Sequence, residues 1–282
     1  MDTKPLNPLA GHFRQPSIYI NLPSNGQWWP EGSLELPVNG AIPVYPMTSK
    51  DELLLRTPDA LMNGAGVVGV IQSCCPNIIN AWQMPGVDVD AVLIAIRIAS
   101  YGHHMDFGST CPHCQEANDY AIDLHTIADS IKCPDFSDPV IVDDLEITLK
   151  PQYYFTVNQE NQIRFEEQRI MNLILDENAE YAEKERLFKE SMQKLEALNL
   201  ESVVNSTAYI KTTDGTQVND QGFLREFYEK SASSVSRAIR TKLEAMAEVA
   251  NIKPVTVTCD ACSQPFTITI TFDYSSFFDL GS

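Results

Sequence analysis

The sequence predicts an α+β protein that is mainly helical, with one β element split between two distant parts of the chain. Apolar residues recur at helical spacing through residues 151–251, whereas the regions on either side show the two-residue alternation of strands. Near the N-terminus, prolines interrupt both the helical spacing and the two-residue alternation. We therefore expect an extended Pro-rich arm over 1–48, a helical core with strands over 49–150, a helical insertion over 151–251, and a C-terminal strand region over 252–282.

The composition is that of a folded, acidic protein. The 282 residues are 44% hydrophobic and 21% charged, which allows a sizeable core. A formal charge of −18 argues against a nucleic-acid backbone or an anionic membrane as the main partner. The N-terminus lacks the apolar segment of a secretory signal, and no run approaches the roughly 18 apolar residues of a membrane span. We expect a soluble protein of a reducing cytoplasm, where cysteines favour thiols or metal ligation.

The N-terminal arm combines many prolines with large apolar residues. Its prolines are Pro5, Pro8, Pro16, Pro23, Pro30, Pro37, Pro43 and Pro46, and its large apolar residues are Ile18, Tyr19, Ile20, Leu22, Trp28 and Trp29. Such a segment excludes regular helix but needs a surface to lie on. That surface is either the rest of this chain or a neighbouring subunit, and the sequence leaves both open.

Helices are predicted on both sides of the first strands. Thr57 and Pro58 have the residue types of a helix start, and Cys75 ends the pattern that follows. A second helix, over residues 87–101, is apolar nearly all round and should be buried. Residues 152–250 then indicate long amphipathic helices, interrupted by a polar turn near Asp214.

Strand signals flank both halves of the split β element. Tyr120 and Ile122 alternate with polar residues, and residues 146–150 alternate again. The clearest β pattern lies near the C-terminus, where alternate positions are apolar and the positions between them are threonine: Phe266, Ile268, Ile270 and Phe272.

Two C-x₂-C pairs stand beside these strands: Cys111 with Cys114, and Cys259 with Cys262. A tight turn aims both thiolates of such a pair at one ion, and four thiolates satisfy tetrahedral zinc at about 2.3 Å. Compact zinc ribbons separate their pairs by ~15–20 residues, whereas 144 residues lie between Cys114 and Cys259. We therefore predict one structural Zn²⁺ in a zinc-ribbon-like element whose two knuckles are split by the helical insertion.

Other interpretations of the cysteines stay open. The pairs can also be redox-active, unmetallated or disulfide-bonded, although neither opens a helix in a βαβ unit as redox pairs do. Catalytic zinc is disfavoured because four thiolates leave no position for water. Cys74, Cys75 and Cys133 are predicted to be structural thiols, and His103 and His104 to be solvent-exposed.

No catalytic constellation is predicted. Gly64, Gly66 and Gly69 match the dinucleotide-binding G-x-G-x-x-G pattern, but a helix start lies upstream where a strand is required. Close helix packing explains these glycines instead. The phosphate-binding G-x-x-x-x-G-K-[ST], the G-x-S-x-G and the H-E-x-x-H motifs are missing from the sequence. We expect a protein that is not an enzyme.

Three stretches carry a family resemblance: RTPDALMNG at residues 56–64, VIQSCCPNI at residues 70–78, and DAVLIAIRIASYG at residues 90–102. Together with Met105 and the first cysteine pair, they resemble the T4-type bacteriophage baseplate (hub) protein family, over roughly residues 45–125. Members of that family belong to contractile-tailed phages and are tied to the baseplate hub and its assembly.

The resemblance implies a non-enzymatic subunit of the tail baseplate that acts by protein–protein interaction. Its partners are then other baseplate and tail proteins, with the N-terminal arm as a candidate contact and several copies in the assembly. The resemblance also implies that the protein is made in the host cytoplasm and located in the virion. A transient assembly factor that is absent from the mature virion is the alternative.

A zinc-ribbon module that binds nucleic acid is a third hypothesis. Such modules need clustered Lys and Arg side chains near the knuckles. The nearby ionisable residues here are acidic, except for Lys253: Asp106, Glu116, Asp119 and Asp260. This composition disfavours nucleic acid as a partner.

Overall fold

The computed structural model describes residues 7–57, 63–174, 181–270 and 277–278. Within these ranges the chain is mixed, with eight α-helices, so the expected combination of helices and strands is confirmed. The helices are α1 (Ser49–Leu55), α2 (Ala65–Cys74), α3 (Gly86–Tyr101), α4 (Leu124–Ser130), α5 (Tyr154–Ile174), α6 (Tyr181–Ser206), α7 (Gln221–Lys230) and α8 (Ser233–Ala250). Each helix of the described part is too short or too polar to cross a membrane.

The strands form small antiparallel sheets. Three are two-stranded hairpins: β1 (Ile18–Asn21) with β2 (Ala41–Val44), β3 (His104–Thr110) with β4 (Ala117–Asp123), and β9 (Val255–Thr258) with β10 (Pro265–Ile268). The fourth sheet has the order β5-β6-β7-β8, from β5 (Val140–Val142), β6 (Leu145–Leu149), β7 (Thr207–Lys211) and β8 (Gln217–Val218).

The N-terminal segment packs on its own chain. Strands β1 and β2 place Leu22, Ile42 and Val44 in the main core, where each is at most 2% exposed. The guanidinium of Arg14 donates to the carbonyls of Pro46 and Ser73 at 2.7 Å. Of the two surfaces that the sequence left open, residues 14–47 therefore use the chain's own core.

A buried carboxylate fixes part of this segment. Asp88 on α3 accepts hydrogen bonds from the Ser24 backbone N–H at 2.8 Å, the Ser24 hydroxyl at 2.5 Å and the Trp29 indole N–H at 2.8 Å. Asp88 is itself 0% exposed, so these hydrogen bonds take the place of contact with water.

Of two helix starts, one was not predicted from the sequence and the other was. Helix α1 begins after Thr48, whose side chain forms a capping box with Asp51, a signal that sequence reasoning missed. The predicted start at Thr57 continues into Pro58, which lies outside the described residues. The predicted end of the pattern is confirmed, since α2 stops at Cys74.

The glycine pattern in α2 serves helix packing, as expected. A Cβ atom on Gly69 would lie 3.2 Å from Cδ1 of Leu54 on α1, so the small residue allows close approach. Helix α3 is buried nearly all round, which confirms that interpretation of residues 87–101.

The expectation of helices throughout residues 152–250 is wrong in one place. Strands β7 and β8 interrupt them, joined by a turn in which Gly215 has φ +87° and Asp214 accepts from the Thr216 backbone N–H at 3.2 Å. Strand β7 forms because it pairs with β6, a contact between distant parts of the chain that local periodicity does not contain.

Buried side chains gather in two cores. The first surrounds α3 and includes both cysteine hairpins, and the second lies between the four-stranded sheet and helices α7 and α8. The described side chains of 159–197, in α5 and α6, belong to neither core. The division of the chain at residues 48, 150 and 251 stays a prediction.

Candidate metal centre

Each C-x₂-C pair occupies the turn of a β-hairpin, and the two turns have the same construction. In the first, residues 111–116 connect β3 to β4, with the Cys111 N–H donating to the Glu116 carbonyl at 2.8 Å and the Gln115 N–H to the Cys111 carbonyl at 2.9 Å. In the second, Cys259 and Ser263 make the equivalent bonds at 3.0 and 2.8 Å.

The fifth residue of each turn has a left-handed backbone. Gln115 has φ +63° and Ser263 has φ +57°, a conformation that glycine usually supplies. Because neither position is glycine, no residue in the sequence indicates that the two turns match. The shared bend brings both sulfurs of each pair to the same side of its hairpin, as ligation of one ion requires.

The four sulfur atoms converge although the two pairs come from distant parts of the chain. The Sγ atoms of Cys111 and Cys262 are 3.8 Å apart, and those of Cys114 and Cys259 are 3.6 Å apart. All four lie within 4.8 Å of one another. Zn–S bonds of 2.3 Å at tetrahedral angles place sulfurs about 3.8 Å apart. The residues present therefore fit a tetrahedral metal ion.

The core holds one cysteine of each pair firmly. Cys111 is 0% and Cys259 1% exposed, whereas Cys114 is exposed and Cys262 half-buried. The hairpins also meet directly, because the rings of Tyr120 on β4 and Phe266 on β10 pack edge to face with centroids 5.5 Å apart. The sulfur cluster thus lies at the edge of the first core.

Two buried polar atoms accompany the sulfurs. Among the described residues, the Tyr120 hydroxyl and the Asn118 side-chain nitrogen are buried without a hydrogen-bond partner. Burial raises the pKa of Tyr120, and the nearby Cys259 sulfur adds to this shift. Donors next to metal-bound thiolates commonly support the ligands, so their presence suits a metal site.

The thiols influence one another's ionisation. The backbone N–H groups of Cys262 and Ala261 face the Cys259 sulfur and lower the pKa of Cys259 from 9.0 to about 6. At Cys114 the Glu116 N–H lowers the pKa, but desolvation and the three neighbouring sulfurs raise it to about 12. Four sulfurs this close cannot all ionise without a compensating cation, which a divalent metal supplies.

The other singled-out cysteines lie elsewhere. Cys74 and Cys75 are 0% exposed in the first core, and burial, with Asp51 nearby, raises the pKa of Cys74 to about 12. Cys133 is half-buried beside the second core. These positions agree with structural thiols.

The histidines are exposed, as expected. The rings of His103 and His104 lie 4.0 Å apart, and His125, which sequence reasoning did not consider, lies 5.6 Å from His103. Across the described ranges, the cysteine quartet is the group whose ligand atoms lie close enough to share an ion.

The sequence model of the family described as T4 bacteriophage base plate protein matches residues 20–279. The chain belongs to this family. The match spans both cysteine pairs and extends the resemblance seen over residues 45–125 to most of the chain. No protein with curated annotation and no solved structure matches the chain.

Membership in the base plate family gives the coarse biological setting. It indicates a structural role in a phage baseplate, a location in the virion tail, and contacts with other tail proteins. A structural family also favours a non-enzymatic protein. The four clustered cysteines add that the chain can bind a metal ion.

Proposed function

We propose that this chain is a structural subunit of the hub region of a contractile-tailed phage baseplate, held in shape by one structural Zn²⁺ and acting through protein contacts. The family match over residues 20–279 is the observation that carries the proposal. The protein is made in the host cytoplasm and retained in the mature virion in several copies.

The metal is assigned as zinc from the donor set. Four thiolates with tetrahedral spacing suit zinc, and they close its coordination sphere. Cys111, Cys114, Cys259 and Cys262 then join the β3–β4 and β9–β10 hairpins as the two halves of a zinc ribbon, with the segment between them as an insertion. When bound, the ion supplies a crosslink between two hairpins that share few other contacts.

Metal analysis of the purified protein tests this assignment. Elemental mass spectrometry under reducing conditions is expected to find one equivalent of zinc, and the Cys259→Ser variant is expected to lose it. If iron is found instead of zinc, the identity of the metal changes but the four-cysteine site is retained, since four thiolates also bind iron. A chain without metal, or with disulfides between the pairs, would contradict the proposal.

The place of the protein in the particle is tested separately. Mass spectrometry of purified virions is expected to detect the chain together with known tail proteins. If the chain appears in infected cells but not in virions, the alternative holds, and the protein is a transient assembly factor. Either outcome leaves the metal assignment unaffected.

Nucleic-acid binding receives no support at the metal centre. Asp106 and Asp119 lie on the hairpin that carries the first knuckle, and Glu116 and Asp260 lie in the two turns. Negative side chains at these positions repel phosphates. The acidic surroundings therefore favour protein partners.

A further inference from the structure

A cleft of about 260 Å³ lies where elements of the two cores meet. Part of its lining comes from the start of α3, whose buried side chains belong to the first core. Another part comes from the second half of α8, whose buried side chains belong to the second core. The segment 150–152, between β6 and α5, completes this lining together with neighbouring residues. A ligand in the cleft therefore touches elements of both cores.

Most of the residues that line the cleft are apolar. The large apolar side chains are those of Val87, Phe136, Val157, Leu243 and Met246. The volume lies slightly below the roughly 300–1,000 Å³ of clefts that hold drug-sized ligands. A compact molecule with an apolar body therefore suits the cleft.

Several polar groups of the lining are already paired with one another. The Gly86 N–H donates to the Gln152 carbonyl at 2.8 Å. The Lys150 N–H donates to the Ser206 carbonyl, also at 2.8 Å. The Gln152 side-chain amide donates to the carbonyl and the hydroxyl of Ser202, both at 3.1 Å. Because these groups are engaged, they offer little to the amides of an inserted peptide, which need partners of their own.

The side chain of Lys150 differs from the rest of the lining. Within the described part of the chain, Lys150 is the one charged residue that lines the cleft, and it is half-buried. Burial lowers the pKa of Lys150, and no neighbouring carboxylate of the described residues opposes this shift. Partial loss of water without a compensating anion is unfavourable for an ammonium group. The carboxylate of a ligand supplies such an anion through charge-assisted hydrogen bonds.

We propose that this cleft binds a small monocarboxylate with a compact apolar body, such as a medium-chain fatty acid. The Lys150 ammonium pairs with the carboxylate, and the apolar body lies against Val87, Leu243 and Met246. One charged donor in an otherwise mostly apolar lining matches a ligand with one charged group. This binding site goes beyond the structural role in the baseplate, which requires no small ligand.

Isothermal titration calorimetry of the full-length, zinc-loaded chain with octanoate tests the proposal. Saturable binding of one octanoate per chain is expected. Octan-1-ol keeps the apolar body but lacks the charge, and it should bind about tenfold more weakly or worse, since it loses a hydrogen-bonded ion pair. Lys150→Met keeps an apolar stem without the ammonium and should weaken octanoate binding by a similar factor.

Lys189→Met is the matched control for the loss of a lysine. Lys189 is exposed on α6, 13 positions before Ser202, which is about 20 Å along the helix. Octanoate binding by this variant should equal that of the wild type.

A third variant fills the cleft instead of changing its charge. Ala247 lines the cleft and is exposed, so Ala247→Phe adds a ring there without entering either core. Octanoate should no longer bind, while the circular dichroism spectrum stays that of the wild type.

Several results would overturn the proposal. The first is an absence of saturable octanoate binding, and the second is octan-1-ol that binds as tightly as octanoate. The third is octanoate binding that Lys150→Met or Ala247→Phe leaves unchanged, or that Lys189→Met weakens equally. If a tripeptide with a free C-terminal leucine binds through Lys150 and octanoate does not, the occupant is a chain terminus and the proposal is wrong.

Discussion

The Sγ atoms of Cys114 and Cys259 lie 3.6 Å apart, although 145 positions separate the residues in the chain. A metal at this point joins two hairpins that come from distant parts of the chain and pack into the first core. Within the described residues each hairpin is only two strands wide, and a two-stranded hairpin is marginally stable by itself. The contact between these residues is therefore where loss of a ligand should have the largest effect.

Cys259→Ser should remove the metal and lower the free energy of unfolding by about 4 kcal/mol, because loss of a metal site is one of the few mechanisms by which a single substitution has a large effect. A zinc finger peptide loses about 10–16 kcal/mol without its metal, but this chain keeps a core of its own. Urea unfolding monitored by circular dichroism, together with zinc analysis, measures both effects.

Cys133→Ser is the matched control for that substitution. Cys133 is half-buried but lies beside the second core, away from the cysteine quartet. The zinc content of the Cys133→Ser variant should equal that of the wild type. An unchanged melting temperature for Cys259→Ser would contradict the structural role of the metal.

Trp29→Phe should destabilise the protein by about 2 kcal/mol, because it removes a hydrogen bond to a buried carboxylate. The Trp29 indole N–H donates to Asp88 at 2.8 Å. Trp28→Phe is the comparison, since Trp28 contacts the Phe136 ring edge to face, a contact that phenylalanine can retain. Equal losses for the two variants, measured by urea unfolding, would show that ring size and not the hydrogen bond matters.

Asp88 should make stability fall as pH rises. Burial raises the pKa of Asp88 above its ordinary 3.8, against the opposing hydrogen bonds from Ser24 and Trp29. Above pH 3.8 and up to the folded-state pKa, the folded protein holds a proton that the unfolded chain has lost, so this contribution to stability decreases with pH.

Asp88→Asn cannot titrate at this position and isolates the effect. The free energy of unfolding of the wild type minus that of the variant should decrease from pH 3.8 up to the folded-state pKa of Asp88 and then stay constant, whatever constant offset the lost acceptor introduces. The measurement is urea unfolding of both proteins at a series of pH values. A difference that stays flat or increases with pH would contradict the assignment.

Gly64→Ala should destabilise the protein by about 2 kcal/mol, since a left-handed backbone alone costs a non-glycine residue about 1–2 kcal/mol. Gly64 has φ +77°, and a Cβ atom there would lie 2.9 Å from the Asn158 side chain. Gly215→Ala separates the two causes, because Gly215 has φ +87° but open space around it. If thermal melts show equal losses for both variants, the contact with Asn158 contributes nothing.

Much of the candidate site could be predicted from the sequence, because its signal is chemical and local. The C-x₂-C spacing needs only four residues at a time, and the alternation around Tyr120 and Phe266 is visible in single segments. The matching turns could not be predicted, since Gln115 and Ser263 adopt left-handed backbones without the glycine that normally marks them.

Elements that depend on distant partners were harder to predict. Strand β7 was not predicted, because its own residues do not indicate a strand. It forms by pairing with β6. The N-terminal segment had two possible surfaces, and the buried contact of Trp29 with Asp88 decided between them for residues 14–47.

The sequence by itself determined which residues are able to bind a metal, where the main helices lie, and that the chain is acidic. The tertiary structure alone decided that the two cysteine pairs meet and that two cores form. The physical reason is the separation along the chain over which each kind of interaction acts. Ligand chemistry, capping and periodicity act within a few residues, whereas convergence of sulfurs and coverage of apolar surface depend on how distant segments pack.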